Sequence, residues 1–327
     1  MTDLRRFLAC LTIAALLTTP AAAETVLKAG HISPKTSPEG IAVDRFAELV
    51  KQKTNGDVVI EVYPSEQLGA APAEIESTIL GNQDFYIGGN VEFERFSPAL
   101  KALGLNYAIP NEEHFKKILV SSVWKEIFVD PLNKVGLTVI SSDWERGPYR
   151  VLVSTKPVKS FADLKGLKLR IAPIDSWRRS WSALGTEPVV LAWNDVYLGL
   201  QQGMIDAVTA PVNLVAPMKF TDVAKHIVRT DEFWQVLAVV GNKARLDGLK
   251  PESRQALVDA AEQAGKEYMA SSEADIERDL AKMKQQGVEY VTIDLAPGVA
   301  AMQPVIRQLE AENFIPAGIY ERLQAVQ

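Results

Sequence analysis

The sequence predicts an α/β protein in two parts tied together by one long helix. Three observations carry this expectation. Apolar runs of strand length alternate with helical periodicities over residues 25–90, the same alternation restarts over 150–208, and residues 251–286 form a nearly unbroken helical pattern. Strands alternating with helices give sheets covered by helices. The 327 residues are enough for roughly two average domains.

The first part opens with an apolar strand, Val26 to Ala29, and the loop His31 to Thr36. Ser37 suits an N-cap and Pro38 the first helical position, while Ala42, Phe46, Leu49 and Val50 share one helical face that ends at Asn55-Gly56. Val58, Ile60 and Val62 alternate with Val59, Glu61 and Tyr63, which is the period of a strand. Ala73 to Leu80 reads as a helix stopped by Gly81, and Phe85 to Ile87 as a strand running into Gly88-Gly89-Asn90. In the second part, strands are expected at Arg150 to Ser154, Lys168 to Ala172, Val189 to Leu191 and Ile205 to Val208. Helices at Ser176 to Leu184 and Asp195 to Gln202 separate them, closed by Gly185 and Gly203. From Pro251 to Gln286 only Gly265 weakens a helix whose buried faces are Leu257, Ala261, Ala264 and Tyr268, then Ile276, Leu280 and Met283. At about 1.5 Å per residue it spans ~50 Å, so it either bends or bridges two bodies.

Composition narrows the function. With 47% apolar and 23% charged residues the chain is that of a folded globular protein. Lys+Arg 35 against Asp+Glu 41 gives net −6, spread along the chain, which argues against nucleic acid as a partner. One cysteine and three histidines leave little material for zinc, haem, iron–sulfur or disulfide frameworks. Arg5-Arg6, an apolar run from Phe7 to Leu17 and the small residues Ala21 to Ala23 make residues 1–23 an export signal, with cleavage expected after Ala23. A lipoprotein cut at Cys10 would leave most of the apolar run on the product, and Arg5-Arg6-Phe7-Leu8 has poor flanks for twin-arginine export. No other run approaches the ~20 apolar residues of a membrane span. The expected product is a soluble protein outside the cytoplasm.

Enzyme signatures are missing one by one: there is no G-x-S-x-G, H-E-x-x-H, G-x-G-x-x-G or P-loop pattern, and no cysteine beyond Cys10. No pair of acids stands out by spacing. His31 reads as a base, a ligand or a hydrogen-bonding loop residue, while His114 and His226 read as structural. Neither a catalytic residue nor a metal or cofactor is expected.

One segment is specific. Phe161-Ala162-Asp163-Leu164-Lys165-Gly166-Leu167-Lys168-Leu169-Arg170 resembles the signature of DctP-type solute-binding proteins of tripartite ATP-independent periplasmic (TRAP) transporters. Tyr63-Pro64-Ser65-Glu66-Gln67-Leu68-Gly69 is similar to that family's early Y-P-x-x-Q-L-G, and Trp193-Asn194-Asp195-Val196-Tyr197 through Asp206 to its E-V-Y-x-A-L-Q-x-x-x-V-D stretch. The long helix matches in order. The resemblance implies a two-lobed α/β periplasmic binding protein, with a ligand cleft between the lobes and the long helix spanning both. Lobe I would be 24–147 plus 236–275, and lobe II 148–235 plus 276–327. The implied function is an extracytoplasmic receptor, likewise periplasmic and monomeric, that hands a small organic carboxylate to TRAP permease subunits. A receptor feeding a sensor, or a periplasmic enzyme on the same scaffold, is the alternative.

By position in the motif, Arg170 is implied to bind the ligand carboxylate, and Arg150 occupies the place of a second family arginine. The guanidinium fork supports this role because it matches a carboxylate bidentately; a structural salt bridge is the alternative for Arg150. Trp193 falls where the family has an aromatic over the ligand, with core filler as the alternative. Asn90 is either a ligand hydrogen-bonding group or a turn former. His31 and Ser33 lie on the first strand-to-helix loop, which lines the family's cleft, and Phe233 and Trp234 are cleft wall or hinge packing. Trp144, Tyr149 and Trp177 add aromatic density near the arginines. Gly89 and Ala210 stand where many acidic-sugar and dicarboxylate binders have polar anchors. Losing two anchors beside so much aromatic surface points to a compact monocarboxylate, such as an aromatic, keto or branched hydroxy acid, ahead of sialate, uronates and C4-dicarboxylates.

Overall fold

A computed structural model describes residues 24–327 except the side chains of 272–274; the export signal expected at 1–23 lies outside the described residues. The strands are β1 (Thr25–Gly30), β2 (Val58–Tyr63), β3 (Phe85–Gly89), β4 (Leu137–Glu145), β5 (Arg150–Ser154), β6 (Lys168–Ile171), β7 (Glu187–Val190), β8 (Ala207–Pro211), β9 (His226–Arg229), β10 (Val236–Asn242) and β11 (Glu289–Thr292). They form two sheets, ordered β2-β1-β3-β10-β4 and β11-β9-β5-β8-β6-β7. In the first, β1 is parallel to β2 and β3, and β10 is inserted antiparallel between β3 and β4, with Leu237 opposite Gly89. In the second, β6 is parallel to β7 and β8, while β5 runs antiparallel to β8 and β9.

Local chemistry accounts for the element ends. Helix α1 (Pro38–Lys53) starts where the Ser37 hydroxyl accepts the Gly40 N–H at 3.1 Å. It buries Ala42, Phe46, Leu49 and Val50 with Leu27, Val58 and Ile60 of the first sheet. Helix α2 (Ala71–Leu80) ends on Gly81 at φ 77, a left-handed conformation that glycine adopts without steric cost.

The chain passes between the sheets at two short crossings, 146–149 from β4 to β5 and 230–235 from β9 to β10. Their backbones touch, since the Arg146 N–H donates to Gln235 O at 3.0 Å. The helix Pro251–Gln285 makes a third connection. Its first half puts Leu257, Ala261, Ala264 and Tyr268 into the core under the first sheet. Its second half puts Ile276 and Met283 into the cluster holding Val151, Val153, Val208 and Ile227. Gly265 is a close-packing position rather than a weak point: a Cβ there would lie 2.3 Å from Trp144 Cδ1. Beyond it, the helices Ala296–Ala311 and Ile319–Gln324 return to the segment after β3, where His114 Nε2 lies 2.7 Å from Leu323 O. Among the described residues no helix is long and apolar enough to cross a membrane.

Candidate ligand-binding site

A cavity of about 290 Å³ lies between the two sheets. The first-sheet side contributes Ile32, Glu92 and the start of α2; the second contributes the ends of β6, β7 and β8; the crossings contribute Arg146 and Gln235. Parallel strands deliver loops to their carboxyl ends, which is where open α/β sheets form ligand crevices.

Arg170 stands at the cavity on β6, its neighbour Leu169 turned into the core. Its Nε and Nη2 both donate to Leu191 O, at 3.0 and 2.8 Å, and its guanidinium lies 5.1 Å from the Trp193 ring centre. No acidic side chain pairs with it among the described residues, although it is only 5% exposed. Burial pushes its pKa down to about 10, opposed by the nearby charges of Glu66 and Glu92.

The neighbouring arginines are different. Arg150 donates from Nε to Glu232 Oε1 at 2.9 Å, from Nη1 to Gln235 Oε1 at 3.0 Å and from Nη2 to Thr209 Oγ1 at 3.0 Å. Its guanidinium lies 4.2 Å from the Phe233 ring centre and 5.4 Å from that of Trp177. Burial lowers its pKa and Glu232 offsets part of the fall. Arg146, which the sequence reading passed over, bonds Glu39 through Nε (3.0 Å) and Nη2 (3.4 Å), and Glu92 through Nη1 (3.2 Å). Burial pulls its pKa down, but Glu39 and Glu92 together outweigh that and raise it.

Of the residues expected at the site, Arg170, Arg150, Trp193 and Trp177 line the cavity, and Phe233 lies directly beneath Arg150. The others do not line it. Asn90 is held away, its Oδ1 accepting the Val236 N–H at 3.1 Å. Only Ile32 of the first loop reaches the cavity; Ser33 donates to Glu39, and His31 is buried with both ring nitrogens unpaired, its pKa lowered by burial to about 4. Tyr149 lies against Arg229, 4.3 Å from ring centre to guanidinium, and Trp234 lines a separate groove with Tyr107 and Tyr320. Ala210 is fully buried in the core, because strand alternation turns Thr209 and Pro211 to the cavity instead. Trp144 lies under the long helix, its Nε1 donating to Ala261 O at 2.9 Å.

Gly89 is the informative correction. A Cβ there would stand 2.7 Å from Arg146 Nη1 and 3.0 Å from Gln235 Nε2. The missing side chain makes room for another guanidinium, so the position is not simply a lost anchor. The sequence signal for this is slight, a glycine at the end of a strand, since Arg146 stands 57 residues further along the chain.

Two helix-covered sheets, joined by two short crossings and one long helix around an arginine-lined cleft, define the class of two-lobed solute receptors. The profile of bacterial extracellular solute-binding proteins, family 7 (DctP), matches residues 29–313, and the chain belongs to this family. It is 33% identical over 280 residues to the 2,3-diketo-L-gulonate-binding periplasmic protein YiaO of Escherichia coli K12, covering 86% of this chain and 84% of that one. It is 28% identical to the C4-dicarboxylate-binding periplasmic protein DctP of Rhodobacter capsulatus over 298 residues, 90% of this chain and 89% of the relative. Among solved structures, a TRAP periplasmic solute-binding protein of Actinobacillus succinogenes with bound L-galactonate superposes with TM-score 0.85 at 27% identity, covering 92% of this chain and 98% of that one. The family is one of binding proteins.

Proposed function

We propose that this chain is an exported receptor that captures a compact monocarboxylate and presents it, as a monomer, to the membrane subunits of a TRAP permease. One observation carries the ligand class: Arg170 is a buried guanidinium with no acidic partner among the described residues, whereas Arg146 and Arg150 are already matched by Glu39, Glu92 and Glu232. A buried charge without a counter-ion is costly, and an arriving carboxylate removes that cost while fitting the guanidinium fork. A second carboxylate would meet Glu66 and Glu92 at the cavity wall.

Cavity size points the same way, since about 290 Å³ falls just below the usual small-molecule range of roughly 300–1,000 Å³. The relatives fit a carboxylate reading: YiaO is described as binding 2,3-diketo-L-gulonate, and a Citrobacter koseri relative of 26% identity was solved with D-glucuronate. The proposed lobes, 24–147 plus 236–275 and 148–235 plus 276–327, place the cavity at their junction. Export by the signal at 1–23 would put the receptor in the periplasm.

The test is a thermal-shift and calorimetry panel of phenylacetate, mandelate, 4-methyl-2-oxopentanoate, D-glucuronate, succinate and N-acetylneuraminate. A true ligand at 100 times its Kd stabilises by ~2.7 kcal/mol. A monocarboxylate of aromatic, keto or branched hydroxy type is expected to bind best. If glucuronate or succinate binds at least tenfold tighter than every aromatic and keto acid, the reading of the pocket is wrong.

A further inference from the structure

Between β2 and α2 the backbone is held in an unusual shape. Ser65 and Glu66 both have φ 57, the left-handed region that disfavours residues bearing a Cβ. Two bonds hold them there, Ser65 N–H to Ser33 O at 3.1 Å and Glu66 N–H to His31 O at 3.2 Å. From this turn the Glu66 side chain, which lines the cavity, reaches the segment after β7. Its Oε2 accepts the Asn194 N–H at 3.0 Å and its Oε1 accepts the Trp193 N–H at 3.4 Å. Asn194 answers from the other side, its Nδ2 donating to Ser65 O at 2.7 Å.

These partners belong to different sheets. Ser65 and Glu66 follow β2 of the first, whereas Trp193 and Asn194 follow β7 of the second. The strap 191–194 is also the one on which Arg170 leans: Leu191 O accepts both Nε and Nη2, and the Trp193 ring lies 5.1 Å from the guanidinium. One four-residue segment therefore joins the cross-cleft contact to the buried charge.

We infer that Glu66 is a positioning residue and a latch: by holding the main-chain N–H groups of Trp193 and Asn194 it closes the mouth of the cleft and sets the orientation of Arg170. The part concerning ligand rests on Arg170 receiving the carboxylate. A carboxylate accepting N–H groups makes charge-assisted bonds, stronger than neutral ones. Breaking them belongs to opening, so the latch acts on release more than on encounter.

The experiment begins without ligand. Hydrogen exchange of the Trp193 and Asn194 amides and of Arg170 Nε–H is followed by NMR in the unaltered chain and in Glu66→Ala. Met204, whose N–H donates to Gly199 O at 2.9 Å within one lobe, reports that the fold is intact. Exchange at Asn194 and at Arg170 Nε–H is expected to speed up about tenfold in the variant, with Met204 unchanged; that is the ratio for losing one charge-assisted bond of ~1.5 kcal/mol. Glu66→Gln, which keeps one acceptor, should fall between. Equal exchange at Asn194 in both proteins, or no protection in the unaltered one, overturns the latch. Faster exchange at Asn194 with Arg170 Nε–H unmoved overturns the positioning of Arg170. Stopped-flow tryptophan fluorescence with phenylacetate and 4-methyl-2-oxopentanoate should then show koff raised about tenfold in Glu66→Ala and kon within about twofold. If the exchange results hold and neither acid binds, the latch stands and the choice of acids falls; if they bind and exchange is unmoved, the latch falls alone.

Discussion

At the residue scale, the proposed ligand class rests on Arg170, buried with no acidic partner among the described residues. Removing one partner of a buried charge pair costs ~2–5 kcal/mol, so Arg170→Ala should weaken monocarboxylate binding by roughly 30-fold or more. Arg170→Lys should restore only part, lacking the fork. Because no acidic side chain is ion-paired with Arg170 among the described residues, Arg170→Met should leave the melting temperature unchanged or raised while binding is lost. Calorimetry together with a melting curve checks both, and undiminished affinity in the Ala variant would remove Arg170 from the site. Two other buried groups oppose each other in pH. His31 has its pKa lowered by burial from 6.5 to about 4, so between those values only the unfolded chain binds the proton and stability falls as pH drops. Glu74 has its pKa raised, chiefly by burial, from 4.5 to about 7, so the folded chain holds the proton and stability falls as pH rises through that window. Each amounts to about 3 kcal/mol across its full range, since one unit is ~1.4 kcal/mol. Over pH 4.5–6.5 the unaltered chain should show a nearly flat contribution from the pair. Glu74→Gln should expose a stability that rises with pH, and His31→Leu one that falls. Denaturant midpoints across this range decide it; parallel profiles in all three proteins would contradict the assignment. The carboxylate-binding role of Arg170 was suggested in the sequence by its motif, but the pairing of Arg146 with Glu39 and Glu92 was not, since those partners lie 107 and 54 residues away.

At the scale of elements, the helices and strands expected over 25–90, 150–208 and 251–286 are legible from period and end residues, whereas the helix Ala296–Ala311 and the strand Leu137–Glu145 are not among those expected. The helix expected over 251–286 runs from Pro251 to Gln285, and the strand expected at Arg150 to Ser154 has those bounds. Strand β10 is not among the elements expected from the sequence: Val236 to Asn242 shows no alternation, and its place is set by antiparallel pairing with β3 and β4, far away in the chain. Helix propensity alone makes Gly265 a weak point, yet the indole of Trp144 occupies the space a side chain there would take. Alanine gains about 1 kcal/mol in helix propensity over glycine, whereas overpacking a filled core costs ~1–3 kcal/mol. Gly265→Ala is therefore expected to lower the melting temperature by several degrees, and a stabilised variant would mean that the helix shifts freely on β4.

For the molecule as a whole, two short crossings and one continuous helix allow the halves to rotate while each keeps its own sheet. With an acid from the panel that stabilises the chain, small-angle scattering should give a smaller radius of gyration, and the helix Pro251–Gln285 should bend without losing ellipticity at 222 nm. Scattering curves that superpose with and without saturating acid would reject closure. By itself the sequence determined the α/β class, the family and the long helix, and it singled out two arginines, Arg150 and Arg170, that line the cavity, because periodicity, caps and contiguous motifs are local properties of the chain. Only the tertiary structure decided which guanidinium is left without a counter-ion, that Gly89 makes room for Arg146, and that Glu66 spans the cleft. Those outcomes depend on contacts between residues dozens to more than a hundred positions apart, and no local pattern encodes where such groups meet.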